Sequence, residues 1–178
     1  AHLVPQVAAS ALSVVPSCEA QRVGVAGKPV LFVKTTLLSR TTLAKFEPVI
    51  DPLRWPDCAV QSQFFKSMVL QTPQSALSKP DAGWKSTIRE TVDFGFGGGE
   101  MTTDLGFVFH RNPTSIGCTY KMVPNGSQGG KIEHDEGYLL AEDLGRSRGL
   151  RRVTTMKAVW FRDNNTPVDE VCPVWSLA

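Results

Sequence analysis

A single acidic residue, Glu90, interrupts an apolar row in the segment WKSTIRETVDF at positions 84–94. Side chains of a β-strand alternate between two faces, so residues two apart share a face. As a strand, the segment places these apolar side chains beside Glu90: Trp84, Ile88, Val92 and Phe94. Because an unpaired buried carboxylate is costly, it either takes up a proton or finds a donor. Glu90 is therefore a structural carboxylate, an anchor for a ligand headgroup, or a general acid or base. The candidate structural partners on another strand are Arg151, Arg152 and Lys157.

Two further residues are candidates for proton transfer, His134 and Tyr120. His134 stands in the run EHDE at 133–136. Neighbouring strand residues point to opposite faces, so His134 cannot form a dyad with Asp135, whereas Glu136 shares its face. We interpret His134 and Glu136 as a solvated edge in preference to an acid–base pair. The hydroxyl of Tyr120 serves either a ligand or the backbone. The candidate catalytic residues are therefore Glu90, His134 and Tyr120.

The remaining chemistry-bearing residue types follow no known site pattern. The four cysteines are Cys18, Cys58, Cys118 and Cys172, without a CxxC pair or close histidines, so zinc spacing is absent. Buried free thiols are favoured, and the sequence does not determine the disulfide state. No GxSxG elbow, P-loop or dinucleotide fingerprint occurs. We accordingly predict neither a cofactor nor a metal site.

The composition is that of an ordinary globular protein. The chain has 178 residues, 42% of them hydrophobic and 20% charged, with a formal net charge of +2. This length predicts one domain over residues 1–178, with an N-terminal arm at 1–27. The arginine-rich run RSRGLRR at 146–152 is interpreted as an exposed turn, so no nucleic-acid partner is predicted. No apolar run is long enough to span a membrane, and cytoplasmic localisation is expected.

The order of predicted elements indicates a meander of strands. The segment KPVLFVKTTLLS at 28–39 predicts a buried strand, followed by a short helix within 39–50 and a proline-fixed corner, DPLRWPDC, at 51–58. Six extended runs follow at 64–71, 84–94, 101–110, 115–123, 131–143 and 150–162. Their connections are rich in Gly, Asn and Pro, which favours antiparallel neighbours. The end of the chain, from 166, predicts the start of a helix.

This order of elements resembles the START and Bet v 1-like (SRPBCC, polyketide cyclase-like) helix-grip superfamily. Local phrases are similar to cyclase-like proteins of that superfamily in actinobacteria: DPLRWPDC, DEGYLLAEDLG and RRVTTMKAVWFRD. The resemblance implies an α+β fold with a seven-stranded curved antiparallel sheet, two short helices after the first strand and a C-terminal helix. Only residues 166–178 are left for that helix, which is therefore truncated or replaced by another cap.

The resemblance also implies a function. Such a fold holds an apolar small molecule, such as a lipid, sterol, quinone or polyketide-like compound, between the sheet and the C-terminal helix. An enzyme of the polyketide cyclase or dehydratase type is the alternative, and a protein-interaction domain with a vestigial pocket is the second alternative. Homodimer formation is left open. Strand alternation gives the predicted ligand-binding residues, which are equally suited to a plain core: Trp84, Ile88, Glu90, Phe107, Phe109, Tyr120, Met122, Tyr138, Met156 and Trp160.

Overall fold

The structure is a computed structural model that describes residues 17–25, 27–59, 65–75, 83–93, 98–125, 132–145 and 149–162. In these ranges, strands of one antiparallel sheet are joined to two short helices. The strands are β1 (Ser17–Val25), β2 (Lys28–Ser39), β3 (Phe65–Leu70), β4 (Gln74–Ser75), β5 (Trp84–Asp93), β6 (Gly98–Asn112), β7 (Ser115–Asn125), β8 (Ile132–Asp143) and β9 (Arg151–Phe161). The helices are α1 (Leu43–Ile50) and α2 (Trp55–Ala59), separated by a 3₁₀ turn at Pro52–Arg54.

The sheet confirms the predicted antiparallel meander. Its strand order is β1-β2-β9-β8-β7-β6-β5-β3, with β4 paired to β5. Strands β5 to β9 are each paired with the next along the chain, as expected from short turns. The early strand β2 pairs with the last strand, β9, and so extends the sheet beyond the end of the meander. Each of the six predicted extended runs corresponds to one strand, β3 or one of β5 to β9.

The expected number of seven strands is wrong, because the main path of the described sheet contains eight. The additional strand is β1, which lies within the predicted N-terminal arm and pairs along its length with β2. Its sequence, SCEAQRVGV, mixes polar and small residues, so it carries little hydrophobic periodicity. A strand at a sheet edge is held by backbone hydrogen bonds to one neighbour and needs no such pattern. The predicted C-terminal helix falls in 163–178, outside the described residues.

The predicted corner after α1 is a compact helical turn. Asp51 ends α1 by donating its backbone N–H to the carbonyl of Glu47. Its side chain then accepts a hydrogen bond from the Leu53 N–H at 3.0 Å and so caps the 3₁₀ turn. The indole Nε1 of Trp55 donates to the Val49 carbonyl at 2.9 Å. These bonds fix the helices as a unit against the sheet. None of the described helices has the length and apolar character of a membrane span.

One face of the sheet, called the inner face here, is covered by the two helices. Directly paired residues of an antiparallel sheet share a face, so the strand register assigns every residue to a side. Ile50 of α1 is fully buried against inner-face residues of β5 to β8. The buried members of this cluster are Ile50, Ile88, Leu105, Phe107, Ile116, Cys118, Leu139 and Ala141. Arg111 at the end of β6 forms an ion pair with Glu47 of α1, which joins the helix to the sheet margin.

Candidate functional site

A polar cluster surrounds Gly137 on the inner face. Gly137 on β8 pairs with Tyr120 of β7 on one side and with Lys157 of β9 on the other. Asp135 precedes Gly137 by two residues and therefore shares its face. A Cβ at position 137 would meet backbone atoms of Met156 and Lys157, so glycine lets β8 and β9 approach closely beside these three polar groups. Tyr120, Asp135 and Lys157 are called the Gly137 cluster below.

The cluster is buried and internally bonded. Asp135 is 3% exposed and Lys157 is 9% exposed. The Tyr120 hydroxyl donates to Oδ1 of Asp135 at 3.3 Å. The ring of Trp55 meets the ring of Tyr120 edge-on, with centroids 5.9 Å apart and planes at 82°. This contact between α2 and β7 fixes the tyrosine ring, so its hydroxyl has a defined direction.

Burial controls the ionisation of all three groups. It raises the pKa of Asp135, while the charge of Lys157 and the Tyr120 hydrogen bond act in the opposite direction. Burial likewise lowers the pKa of Lys157, and the charge of Asp135 counters it. The pKa of Tyr120 is raised by burial first and then by Asp135, so its phenol keeps its proton at neutral pH. The cluster therefore combines a proton donor with a carboxyl and an amine whose neutral forms are favoured by burial.

Apolar side chains and an unused hydroxyl border the cluster. Val33 pairs with Lys157, and both Val33 and Val159 are 1% exposed. Thr35 follows Val33 by two residues and shares its face, which makes it a diagonal neighbour of Lys157. Its Oγ1 is buried and has no hydrogen-bond partner among the described residues. The inner face thus offers hydrogen-bonding capacity that the described contacts do not use.

Cys118 lies two residues from Tyr120 on the same face and is a free, buried cysteine. Burial, with a smaller contribution from Asp51, raises the pKa of its thiol to about 12. A thiol in this state is a poor nucleophile at neutral pH. Cys118 is therefore part of the core, as the sequence predicted. The described residues contain no group of three His, Cys, Asp or Glu side chains that could hold a metal ion.

The structure brings together six of the predicted ligand-binding residues on the inner face. Five of them belong to the buried cluster or pack against it: Ile88, Phe107, Phe109, Tyr120 and Met122. Trp84 pairs with Phe107 and so shares this face, but it lies at the start of β5 and is 46% exposed. The register therefore supports a common surface for these residues. Their role in ligand binding remains a prediction.

Three of the predicted lining residues lie on the opposite, outer face. Tyr138 pairs with Met156, and His134 pairs with Trp160, in the register that places Gly137 opposite Lys157. The prediction that Tyr138, Met156 and Trp160 share a surface with Tyr120 is therefore wrong. Alternation sorts a strand into two sets but does not say which set faces inward, and the outer face here is also partly apolar. Met156 is 38% exposed there.

The backbone of Glu90 lies in β5, opposite Met68 and Met101. Its side chain lies outside the described part of the structure, so its proposed roles remain predictions. Two of its candidate partners are bound elsewhere. Arg151 donates to Asp143 at 2.6 Å, and Arg152 donates to Glu142 at 3.1 Å.

His134 occupies the outer face, away from the Gly137 cluster. Its ring stacks on Trp160 with centroids 5.1 Å apart, and its Nε2 lies 4.0 Å from Oε2 of Glu136. The expected shared face of His134 and Glu136 is thus confirmed. No described contact joins His134 to Tyr120 or to the inner face, so the two candidates do not form one catalytic unit.

The position of His134 predicts a pH effect on stability. Burial against Trp160, and then the charge of Lys121, lower its pKa from the ordinary value of 6.5. The other charges acting on it are Lys28, Glu133 and Glu136. The unfolded chain then binds more protons, so this stability contribution is complete above pH 6.5 and is lost as the pH falls through the folded pKa. We expect His134→Gln to reduce the loss of stability below pH 6.5 in urea unfolding. An NMR titration giving an imidazole pKa above 6.5 would contradict the prediction.

Sequence reasoning missed two members of the cluster, Asp135 and Lys157, as parts of one site. Asp135 was considered only as a neighbour of His134, and Lys157 only as a partner of Glu90. One signal was available. In β8, the set beginning with Asp135 continues with Gly137, Leu139 and Ala141, whereas the set with His134 continues through Glu136. Between Asp135 and Ala141 the first set has a single charge followed by small and apolar residues, which is typical of a buried face with one functional group.

Comparison with solved structures identifies the fold. The structure is similar to the crystal structure of Ara h 8.0201, a Bet v 1-family protein, with a TM-score of 0.52 at 12% sequence identity. The match covers 80% of this chain and 85% of that chain. This is a Bet v 1-like, START-type helix-grip fold. A further match, to an uncharacterised protein from Rhizobium leguminosarum, has a TM-score of 0.41 at 15% identity and covers 86% of this chain and 85% of that one. No family model and no curated protein matches the sequence.

The Bet v 1-like fold determines which strands and helices surround the Gly137 cluster. The described helices α1 and α2 lie over β7, β8 and β3 at the inner face, and Trp55 of α2 reaches Tyr120. The cluster is therefore built from the three strands at the middle of the meander and one helix. A group of this kind can donate a hydrogen bond, accept one, and hold a proton in a low-dielectric environment.

Proposed function

We propose that the protein binds an apolar small molecule on the inner face of the sheet, and that the Gly137 cluster orients a polar group of this molecule. The observation that carries the proposal is the buried cluster of Tyr120, Asp135 and Lys157 within an apolar surface. Binding sites for small molecules combine such apolar walls with a few polar groups. The ligand classes that suit this chemistry are lipids, sterols, quinones and polyketide-like compounds with a hydroxyl or carbonyl group.

The energetics of the cluster support a role beyond packing. Asp135 and Lys157 are buried groups of opposite charge, and the cost of desolvation offsets most of their attraction, so apolar side chains of similar volume are often more stabilising. Thr35 adds a buried hydroxyl without a hydrogen-bond partner, which is a further cost. A ligand with a carbonyl or hydroxyl group would satisfy such groups when bound. These polar atoms therefore destabilise the protein without a ligand and would give specificity when a ligand is bound.

The apolar body of the ligand would supply most of the affinity. Each square ångström of apolar surface removed from water contributes about 25 cal/mol. Phe109 and Met122 are partly buried side chains at the margin of the core cluster, on the same face as Tyr120. Aromatic and methionine side chains adapt to apolar ligands of varied shape. Selectivity would then come from the position of the polar group relative to Tyr120.

Replacing Tyr120 by phenylalanine tests the proposal, with Tyr138→Phe as a matched control on the outer face. Tyr120→Phe removes only the hydroxyl that contacts Asp135, and we expect affinity for a hydroxylated or carbonyl-bearing apolar ligand to fall about three- to tenfold. Tyr138→Phe should leave affinity unchanged. The ligand is first identified by native mass spectrometry of the purified protein, and affinity is then measured by calorimetric titration. Equal affinities of the two variants would contradict the assignment of the site.

A polyketide cyclase or dehydratase activity is a second candidate, and the contact between Tyr120 and Asp135 favours it. Burial raises the pKa of the Asp135 carboxyl, as in a general acid or base, and keeps the Tyr120 phenol protonated, so that it can donate a hydrogen bond to a substrate oxygen. Turnover of a poly-β-keto substrate by the purified protein would support this function. In that case Tyr120→Phe should lower kcat more than it raises KM, whereas a ligand anchor affects affinity alone.

A further inference from the structure

The outer face carries a shallow groove that plays no part in the proposed function. Its volume is about 260 Å³, and it spans β5, β6 and β7. The lining residues are Trp84, Lys85, Gly106, Phe107, Val108, Thr119, Tyr120 and Lys121. By strand alternation, the side chains of Trp84, Phe107 and Tyr120 belong to the inner face, so these three residues border the groove with their backbone. Lys85 pairs with Gly106, which pairs in turn with Lys121, so these three form one row on the outer face. Val108 and Thr119 form the next row, and the groove lies between the two rows.

The groove exists because Gly106 has no side chain. A Cβ at this position would meet only the carbonyl oxygen of Trp84, at 3.9 Å, so the space above the glycine is open. The two lysines lie on the strands to either side, about 10 Å apart at the backbone, since each strand spacing is about 4.8 Å. Lysine side chains are long and flexible enough to converge on a group placed above Gly106.

Both lysines are exposed and make no ion pair with the described residues of the chain. Thr119, two residues before Lys121 on β7, is exposed in the neighbouring row of the groove. The positive charge of Lys121 acts on neighbouring groups: it contributes to the lowered pKa of His134 on the next strand. The row therefore presents two lysines that form no ion pair among the described residues.

The nearest carboxylates are engaged with other groups. Asp104, two residues before Gly106, accepts hydrogen bonds from Thr87 and Asn125 at 3.4 Å each. Glu136, which pairs with Lys121 across the strands, has its Oε2 4.0 Å from His134. Neither carboxylate forms an ion pair, among the described residues, with either of the two lysines. An anion in the groove would remove the repulsion between them.

We infer that this groove binds a small organic anion, a carboxylate or phosphate ester. Its charged group would lie above Gly106 between Lys85 and Lys121, and its apolar portion against Val108. Val108 is 36% exposed and supplies an apolar wall beside the cationic row. The site faces away from the Gly137 cluster, so it does not depend on the function proposed for the inner face.

Calorimetric titration with phenyl phosphate and with benzoate tests the inference. We expect dissociation constants on the order of millimolar, weakened by added salt. Lys85→Ala and Lys121→Ala should each weaken binding about two- to fivefold, as expected for exposed charge pairs. Lys34→Ala is the control, because Lys34 is an exposed outer-face lysine on β2, away from the groove.

Two outcomes would overturn the inference. One is equal weakening by Lys34→Ala and the two groove variants, which would indicate a general charge effect. The other is cosedimentation with vesicles of anionic phospholipid without any binding of phenyl phosphate or benzoate, which would assign the lysines to a lipid surface. Affinity of the inner face for an apolar ligand should be unchanged in both groove variants. An absence of ligand binding at the inner face would therefore be distinguishable from an absence of anion binding in the groove.

Discussion

Asp135→Asn should lower the free energy of unfolding by about 3–5 kcal/mol, because it removes the negative charge that favours the charged form of the buried Lys157. Lys157→Met should cost a similar amount by leaving the Asp135 carboxylate in the same position. Both side chains are almost fully buried, so water cannot compensate for either loss. Urea unfolding of each variant at neutral pH gives these values.

The double variant Asp135→Asn with Lys157→Met is the decisive member of the series. It removes both charges and fills the site with neutral side chains of similar size, so its stability should return to within about 1 kcal/mol of the parent protein. Glu136→Gln is the control for a charge on the same strand, since Glu136 is 45% exposed on the outer face. Additive losses in the double variant would show that Asp135 and Lys157 act independently.

The strands of this fold could be predicted from the sequence because their local signals agree. Alternating side chains and turn-forming connections identified β5 to β9, and the buried run at 28–39 matches β2. The edge strand β1 was missed since a strand bonded on one side needs no hydrophobic pattern. Its pairing with β2 depends on tertiary contact, which single-strand reasoning does not include.

The candidate site could be predicted only in part. Tyr120 was identified from its apolar neighbours on β7, but its partners on β8 and β9 depend on register. A shift of one residue moves every side chain of a strand to the other face. The outer face carries Phe32 and Met156, both more than a third exposed, so hydrophobicity alone does not distinguish the two faces. The pairing of Gly137 with Lys157 settles the choice, and that pairing is a property of the folded sheet.

Gly137→Ala should destabilise the protein by about 3 kcal/mol, near the upper end of the usual cost of overpacking. A Cβ at this position would clash with the carbonyl oxygen of Met156 and would lie 2.7 Å from the Cα of Lys157. Both are backbone atoms, so no rotamer change relieves the contact, and β8 and β9 must move apart.

Gly106→Ala is the matched control, because its Cβ would meet its nearest atom at an ordinary 3.9 Å. Alanine also restricts the unfolded chain, so this variant should be at least as stable as the parent protein. Thermal unfolding measures both effects, and hydrogen exchange should show faster exchange of the β8 and β9 amides in Gly137→Ala alone. Equal stability of the two variants would mean that the strands do not approach closely at Gly137. The cluster would then lose the geometry that brings Tyr120 and Lys157 to the two sides of one glycine.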